Sequence, residues 1–198
     1  NTQGLYKSHY IRKTLNVDNH HVLMSADFSS YELRIIAALS NDHKLISDIS
    51  RGDFYSYIAS NFFRKKVNRS INSLLRVKIK VIIFSIIYGM SFFALAKQIN
   101  VTKSLALNIV NGFLKIYPRI SKYIGKSMYQ IVNKQDLKST LGRSFAFKGY
   151  SNISVHKNMI KNIPIQCTAA EIIKFSMLRL NNRVTSNTSY VSIINTIH

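Results

Sequence analysis

An acid placed at the end of an apolar run is the first feature of this sequence that could carry chemistry. Asp27 closes the run Val22–Asp27 (VLMSAD) and leads directly into FSSYELR. Such a run reads as a short buried strand whose C-terminal end reaches a site. A carboxylate held there suits Mg2+, a hard cation that takes carboxylate and backbone carbonyl oxygens. The same Asp27 also suits a plain helix cap. Both readings stand on the local residues.

A second pattern is Arg76, Lys80, Phe84 and Tyr88, spaced by four. At 3.6 residues per turn each step advances about 40°, so the four form one slanted stripe on a helix, cationic at its start and aromatic at its end. A nucleoside triphosphate could lie along it, with Arg76 and Lys80 on the phosphates, Phe84 against sugar and base, and Tyr88 beside a template. An amphipathic helix with two solvated charges and two core aromatics gives the same letters. A third pattern, Asn162–Glu171 (NIPIQCTAAE), joins a proline entry to a small-residue helix, with Gln166 as a polar reader. Small residues at a helix start also serve packing alone.

The elements that must position these residues are mostly helical. Ser29 or Ser30 is expected to cap a helix with Glu32 near its first turn and Leu33, Ile35, Ile36 and Leu39 as apolar positions. Asn41-Asp42 and Gly52-Asp53 open two more helices, the second ending near Phe63, and Arg64–Arg69 is a basic connection. A long helix runs from Ser73 to Tyr88 and breaks at Gly89; further helices cover Ser91–Ile99, Thr102–Tyr117 and Pro118–Asn133. Leu137–Phe147 reads as a hairpin or loop. Ser154–Asn182 reads as a helix interrupted near Pro164, and Tyr190–Ile197 as a strand. The fold class is α+β and helix-rich, with a helical insertion between strand-forming ends.

The 198 residues carry 28 Lys and Arg against 8 Asp and Glu, a formal net charge of +20, and are 46% hydrophobic. That hydrophobicity excludes a disordered chain. The charge surplus points to a polyanionic partner, nucleic acid before an anionic membrane, because the basic residues are dispersed along the chain. One cysteine, Cys167, excludes an internal disulfide and a Cys-rich zinc site, and fits an intracellular, reducing compartment. The longest uncharged apolar stretch, Val81–Ala96, falls short of the ~20 residues that span a bilayer. No signal peptide is read. The first residue is not Met and the last lie inside an apolar run, which leads to the expectation of a fragment of a longer protein.

Taken in order, these segments resemble family A DNA polymerases over nearly the whole chain. DFSSYELRIIAALS is similar to motif A of that family, and RVKIKVIIFSIIYGMS to motif B, with Arg76, Lys80, Phe84, Tyr88 and Gly89 in place. NIPIQCTAAEIIKFSM resembles the segment that leads back into the palm. Phe113, Tyr117-Pro118 and Thr140-Leu141-Gly142-Arg143 fall where the family has comparable residues, and Ile197-His198 resembles the first half of motif C.

The resemblance implies a right-hand polymerase palm and fingers, with a small antiparallel palm sheet and a helical fingers insertion. Residues 1–51 would begin the palm, 52–150 form the fingers, and 151–198 return to the palm. It implies template-directed DNA synthesis in replication or repair, with two Mg2+ ions serving nucleotidyl transfer from a dNTP to a primer 3′-hydroxyl. Asp27 and the backbone carbonyl of Phe28 would hold metal. Lys80 would act catalytically on the leaving group and, with Arg76, Phe84, Tyr88 and Glu32, bind the dNTP; Glu32 stands at the gate against a ribose 2′-hydroxyl. Arg143, Asn162, Gln166 and His198 would contact primer–template DNA.

The expected protein is a monomer with no membrane association. The second catalytic Asp would follow His198, so this fragment is expected to be inactive alone. Cys167, Thr196, Asn158 and Tyr55 depart from the residues common in the family. The alternatives are a non-catalytic nucleic-acid-binding remnant and a single-subunit RNA polymerase relative, the latter disfavoured by Glu32.

Overall fold

The computed structural model describes residues 18, 20–22, 24–133, 135–145 and 153–187. Helices dominate. They are α1 (Tyr31–Ser40), α2 (His43–Ser50), α3 (Phe54–Phe63), α4 (Ser73–Tyr88), α5 (Phe92–Ile99), α6 (Lys103–Ile116), α7 (Pro118–Val132) and α8 (Ile153–Asn187). Strands β1 (Leu137–Lys138) and β2 (Ser144–Phe145) form an antiparallel pair with Leu137 opposite Phe145 and Lys138 opposite Ser144. The helix-rich α+β class expected from the sequence is the class observed.

The chain divides into two compact units, residues 30–172 and residues 1–29 with 173–198. In the larger unit, local chemistry sets most boundaries. Asp42 and Asp53 cap α2 and α3, and Ser91 and Thr102 cap α5 and α6, each side-chain oxygen accepting a backbone N–H of the first turn. Gly89 ends α4 with φ 68°, a left-handed position that costs glycine nothing. Tyr117 leaves the helical region, at φ −122° and ψ 68°, because Pro118 follows, and α7 starts on that proline.

The core of this unit is aliphatic with an aromatic side. Ile79, Ile82, Ile83, Ile86 and Ile87 recur at helical spacing and bury one face of α4. Each such side chain contributes about 1.5–3 kcal/mol of transfer free energy. That face packs on α3, α5 and α6, while α1 packs on α2 and α7. Phe54, Phe113 and Tyr117 fill the aromatic side, the last two with ring centroids 4.9 Å apart. The Tyr31 hydroxyl ties α1 to α8 by donating to the Ala169 carbonyl at 2.5 Å.

Three local expectations differ from the structure. Ser30 precedes α1 with φ 52° and ψ 39°, and its side chain makes no cap hydrogen bond. A capping side chain works from an extended backbone, and this one is left-handed. Pro164 does not interrupt its helix: α8 runs through it. Pro164, Ile165, Thr168 and Ala169 are buried along one side, and that packing outweighs the lost N–H. Among the described residues, Val22–Asp27 forms no strand, and Val22 and Met24 are exposed. The other expected strand, Tyr190–Ile197, lies outside the described residues.

Candidate functional site

Three of the four stripe residues on α4, Lys80, Phe84 and Tyr88, form one connected row. Lys80 holds its ammonium 5.7 Å from the centroid of the Phe84 ring. Phe84 stacks on Tyr88 with centroids 5.9 Å apart and planes 9° from parallel. The Tyr88 hydroxyl donates to Glu32 Oε1 on α1. Burial and the Glu32 carboxylate push the Tyr88 hydroxyl pKa well above its ordinary value, so the phenol stays a donor. The row thus joins α4 to α1 at its aromatic end. Lys80, Phe84, Tyr88, Met90 and Gln98 line a small open cleft along it.

At the cationic end Arg76 is occupied. Its Nε lies 2.9 Å from Asp53 Oδ2 and 3.2 Å from Oδ1, and its guanidinium sits 5.5 Å from the Tyr55 ring centroid. The same Asp53 caps α3 and accepts from the Ser56 hydroxyl at 2.9 Å. Burial would raise the Asp53 pKa, but the hydrogen bonds from Arg76 and Ser56 outweigh it and hold the carboxyl below the usual range. Any phosphate that takes Arg76 therefore takes it from Asp53.

The remaining expected residues fall in several places. Asn162 and Gln166 lie on α8, and the half-buried Asn162 has no hydrogen-bond partner for Oδ1 among the described residues. Arg143 is exposed on the hairpin, 4.0 Å from Glu171 Oε1. Asp27 and Phe28 are exposed and belong to the smaller unit. Asp27 is the one acid without a hydrogen bond or ion pair among the described residues. His198 lies outside the described residues.

Two residues with clear work were not singled out by type and spacing. Asp53 was read only as a helix start, and its pairing with Arg76 spans 23 positions that no local pattern reports. Glu171 accepts from the Ser139 hydroxyl at 2.7 Å and the Leu141 N–H at 3.4 Å, and Thr168 accepts from the Thr140 N–H at 3.3 Å. These bonds fix the hairpin to α8 and set where Arg143 points from.

A sequence model of DNA polymerase family A matches residues 5–198. DNA polymerase I of Caldicellulosiruptor bescii is 29% identical over 202 residues, covering 95% of this chain and 23% of that protein. DNA polymerase I of Borreliella burgdorferi is 32% identical over 198 residues, covering 97% of this chain and 22% of that protein. Among solved structures, the POL domain of Pol1 from M. smegmatis, in complex with DNA primer–template and dNTP, superposes with a TM-score of 0.70 at 26% identity. That match covers 81% of this chain and 29% of the other. The chain thus spans under a quarter of the length of these two polymerase relatives.

Proposed function

The chain belongs to DNA polymerase family A, and from that premise we propose that it serves template-directed DNA synthesis, with α4 as the face that meets the incoming dNTP. The observation that carries this reading is the row Lys80–Phe84–Tyr88–Glu32, a cation, two stacked rings and a carboxylate in one connected line. Lys80 and Arg76 supply charge-assisted hydrogen bonds to a triphosphate. Phe84 offers a flat surface to the sugar and base. Tyr88 holds Glu32 in place, so that the carboxylate crowds a ribose 2′-hydroxyl.

Asp27 fits Mg2+ by its donor chemistry. It is an exposed carboxylate with no partner among the described residues, followed by the Phe28 carbonyl. Mg2+ keeps several waters and takes one or two carboxylates together with substrate phosphates, so no dedicated cage of side chains is required. When bound, the metal would lower the pKa of the primer 3′-hydroxyl and neutralise charge on the leaving pyrophosphate. Lys80 is placed by this reading to give a proton to that pyrophosphate. Gln166, Asn162 and Arg143 would contact the primer–template.

Sugar selection in the intact gene product tests the site. Glu32→Ala should raise ribonucleotide incorporation, because a clash acting in the transition state is lost. Phe84→Tyr should favour dideoxynucleotides by supplying a hydroxyl where their 3′-hydroxyl is missing. Lower melting temperatures with unchanged incorporation ratios in both variants would remove the α4 face from the nucleotide.

A further inference from the structure

A second basic surface lies away from the α4 row, at the opposite end of α1 from Glu32. A cleft of about 700 Å³ opens between the end of α1, one face of α7 and strand β1. That volume falls within the ~300–1,000 Å³ typical of ligand sites. Arg119, Lys122, Tyr123 and Lys126 of α7 line it, and Lys138 of β1 faces them with Asp136 as the single acid. At about 100° per residue, these four α7 positions occupy one face roughly 100° wide.

The charges of this cleft are unbalanced. Arg119 is turned to the protein, its guanidinium donating to the Asn41 carbonyl and its backbone N–H to Asp42 Oδ2 at 3.3 Å. Asp136 accepts from the Ser144 hydroxyl at 3.2 Å. Lys122, Lys126 and Lys138 form no ion pair among the described residues. Three ammonium groups around one open cleft repel one another unless an anion lies between them. A solvated helix face spreads its charge outward; here the strand returns a third cation across the gap. A row of cations beside a half-buried aromatic ring is the arrangement that tracks a single-stranded backbone.

We propose that this cleft binds single-stranded DNA, through phosphate contacts from Lys122, Lys126 and Lys138. The choice of DNA rests on the polymerase reading, whereas the binding itself needs no turnover, so the two can fail separately.

The test is fluorescence anisotropy of a labelled oligo-dT strand with the chain, across a series of salt concentrations. Lys122→Ala/Lys126→Ala removes two contacts, and each single-strand contact contributes about 0.7 to the slope of log K against log salt. The slope should flatten by about 1.4. With 1 M salt as reference, affinity at 0.1 M should fall about 25-fold. Lys65→Ala/Lys66→Ala, in the exposed connection before α4, removes the same net charge elsewhere and should cost less than about threefold. Lys122→Arg/Lys126→Arg should keep affinity and slope. Equal losses from the two Ala pairs would reduce the effect to diffuse charge and overturn the site. So would an unchanged slope in the cleft pair, or a loss seen only with inorganic triphosphate as the ligand. Incorporation by the wild-type gene product with an unaffected cleft pair would leave the polymerase reading standing and this one refuted.

Discussion

Asp53→Asn separates two roles that one carboxylate performs at the head of α3. Asparagine caps a helix about as well as aspartate, so the capping bond from the Ser56 N–H is kept, while the charge facing Arg76 and the second acceptor oxygen used by the Ser56 hydroxyl are lost. The Arg76–Asp53 pair is partly exposed, at 21% and 27%. A hydrogen bond to a charged group contributes about 1.5–3 kcal/mol when shielded, and exposed pairs contribute about 0–1 kcal/mol. About 1 kcal/mol is the expected loss, a fall of roughly 2–4 °C in melting temperature.

The same substitution should strengthen dNTP binding. A triphosphate no longer has to displace Asp53 from Arg76, and about 1 kcal/mol corresponds to about fivefold in Kd. Acid stability provides a third readout. The folded pKa of Asp53 lies below the ordinary 3.8, so its contribution is complete above that value and is lost as pH falls through the folded pKa. The variant's acid limb should be shallower, with Asp48, also lowered, keeping part of it. Urea unfolding, an acid titration and a fluorescent dNTP titration suffice. Weaker dNTP binding in Asp53→Asn would refute the competition and make Asp53 a support that positions Arg76.

Other substitutions check the packing and the carboxylate. Tyr117→Phe removes the hydroxyl that donates to the buried Asp48 at 2.8 Å, and should cost about 1–3 kcal/mol in urea unfolding. Gly112→Ala would place a Cβ 2.8 Å from Phe62 Cε1, so overpacking of about 1–3 kcal/mol should exceed the ~1 kcal/mol helix gain. Adding Phe62→Leu should recover the loss, as read by melting temperature. In the intact gene product, Asp27→Ala should abolish incorporation with duplex affinity retained. Activity within about tenfold of wild type, ~1.4 kcal/mol of barrier, would exclude Asp27 from the chemistry.

What the sequence disclosed follows from the range of each signal. Caps at Asp42, Asp53, Ser91 and Thr102, the stop at Gly89 and the corner at Tyr117-Pro118 act within one turn, and those helices run as the residues suggest. Ser30 has the right side chain for a cap and the wrong backbone, which the residue type does not report. Pro164 is a local breaker overridden by burial on its own helix face, a tertiary effect. The four-residue spacing of the α4 row is a property of the helix itself and was readable. Asp53 under Arg76 and Glu171 under the hairpin depend on partners 23 and 32 positions away, and spacing says nothing about them.

The distribution of the acids connects fold and function more closely than any single motif. With only 8 acids against 28 basic residues, each carboxylate used inside the fold leaves the surrounding cations more available to an outside anion. Asp42 caps α2 and receives Arg119, Asp48 takes Tyr117 and Lys44, and Asp53 takes Arg76. Glu32 takes Tyr88, and Glu171 holds the hairpin. These carboxylates fasten one helix to another and neutralise few of the exposed lysines, which include Lys80 on the α4 row and Lys122 and Lys126 on the α7 cleft. Such a protein gains most from a ligand that carries many negative charges along its length, because every phosphate it neutralises releases a counterion. Asp27 departs from the pattern: it is exposed and joined to nothing among the described residues. In so basic a chain a free carboxylate would ordinarily attract a lysine. One left open beside a polyanion would repel it, unless a divalent cation lies between the two.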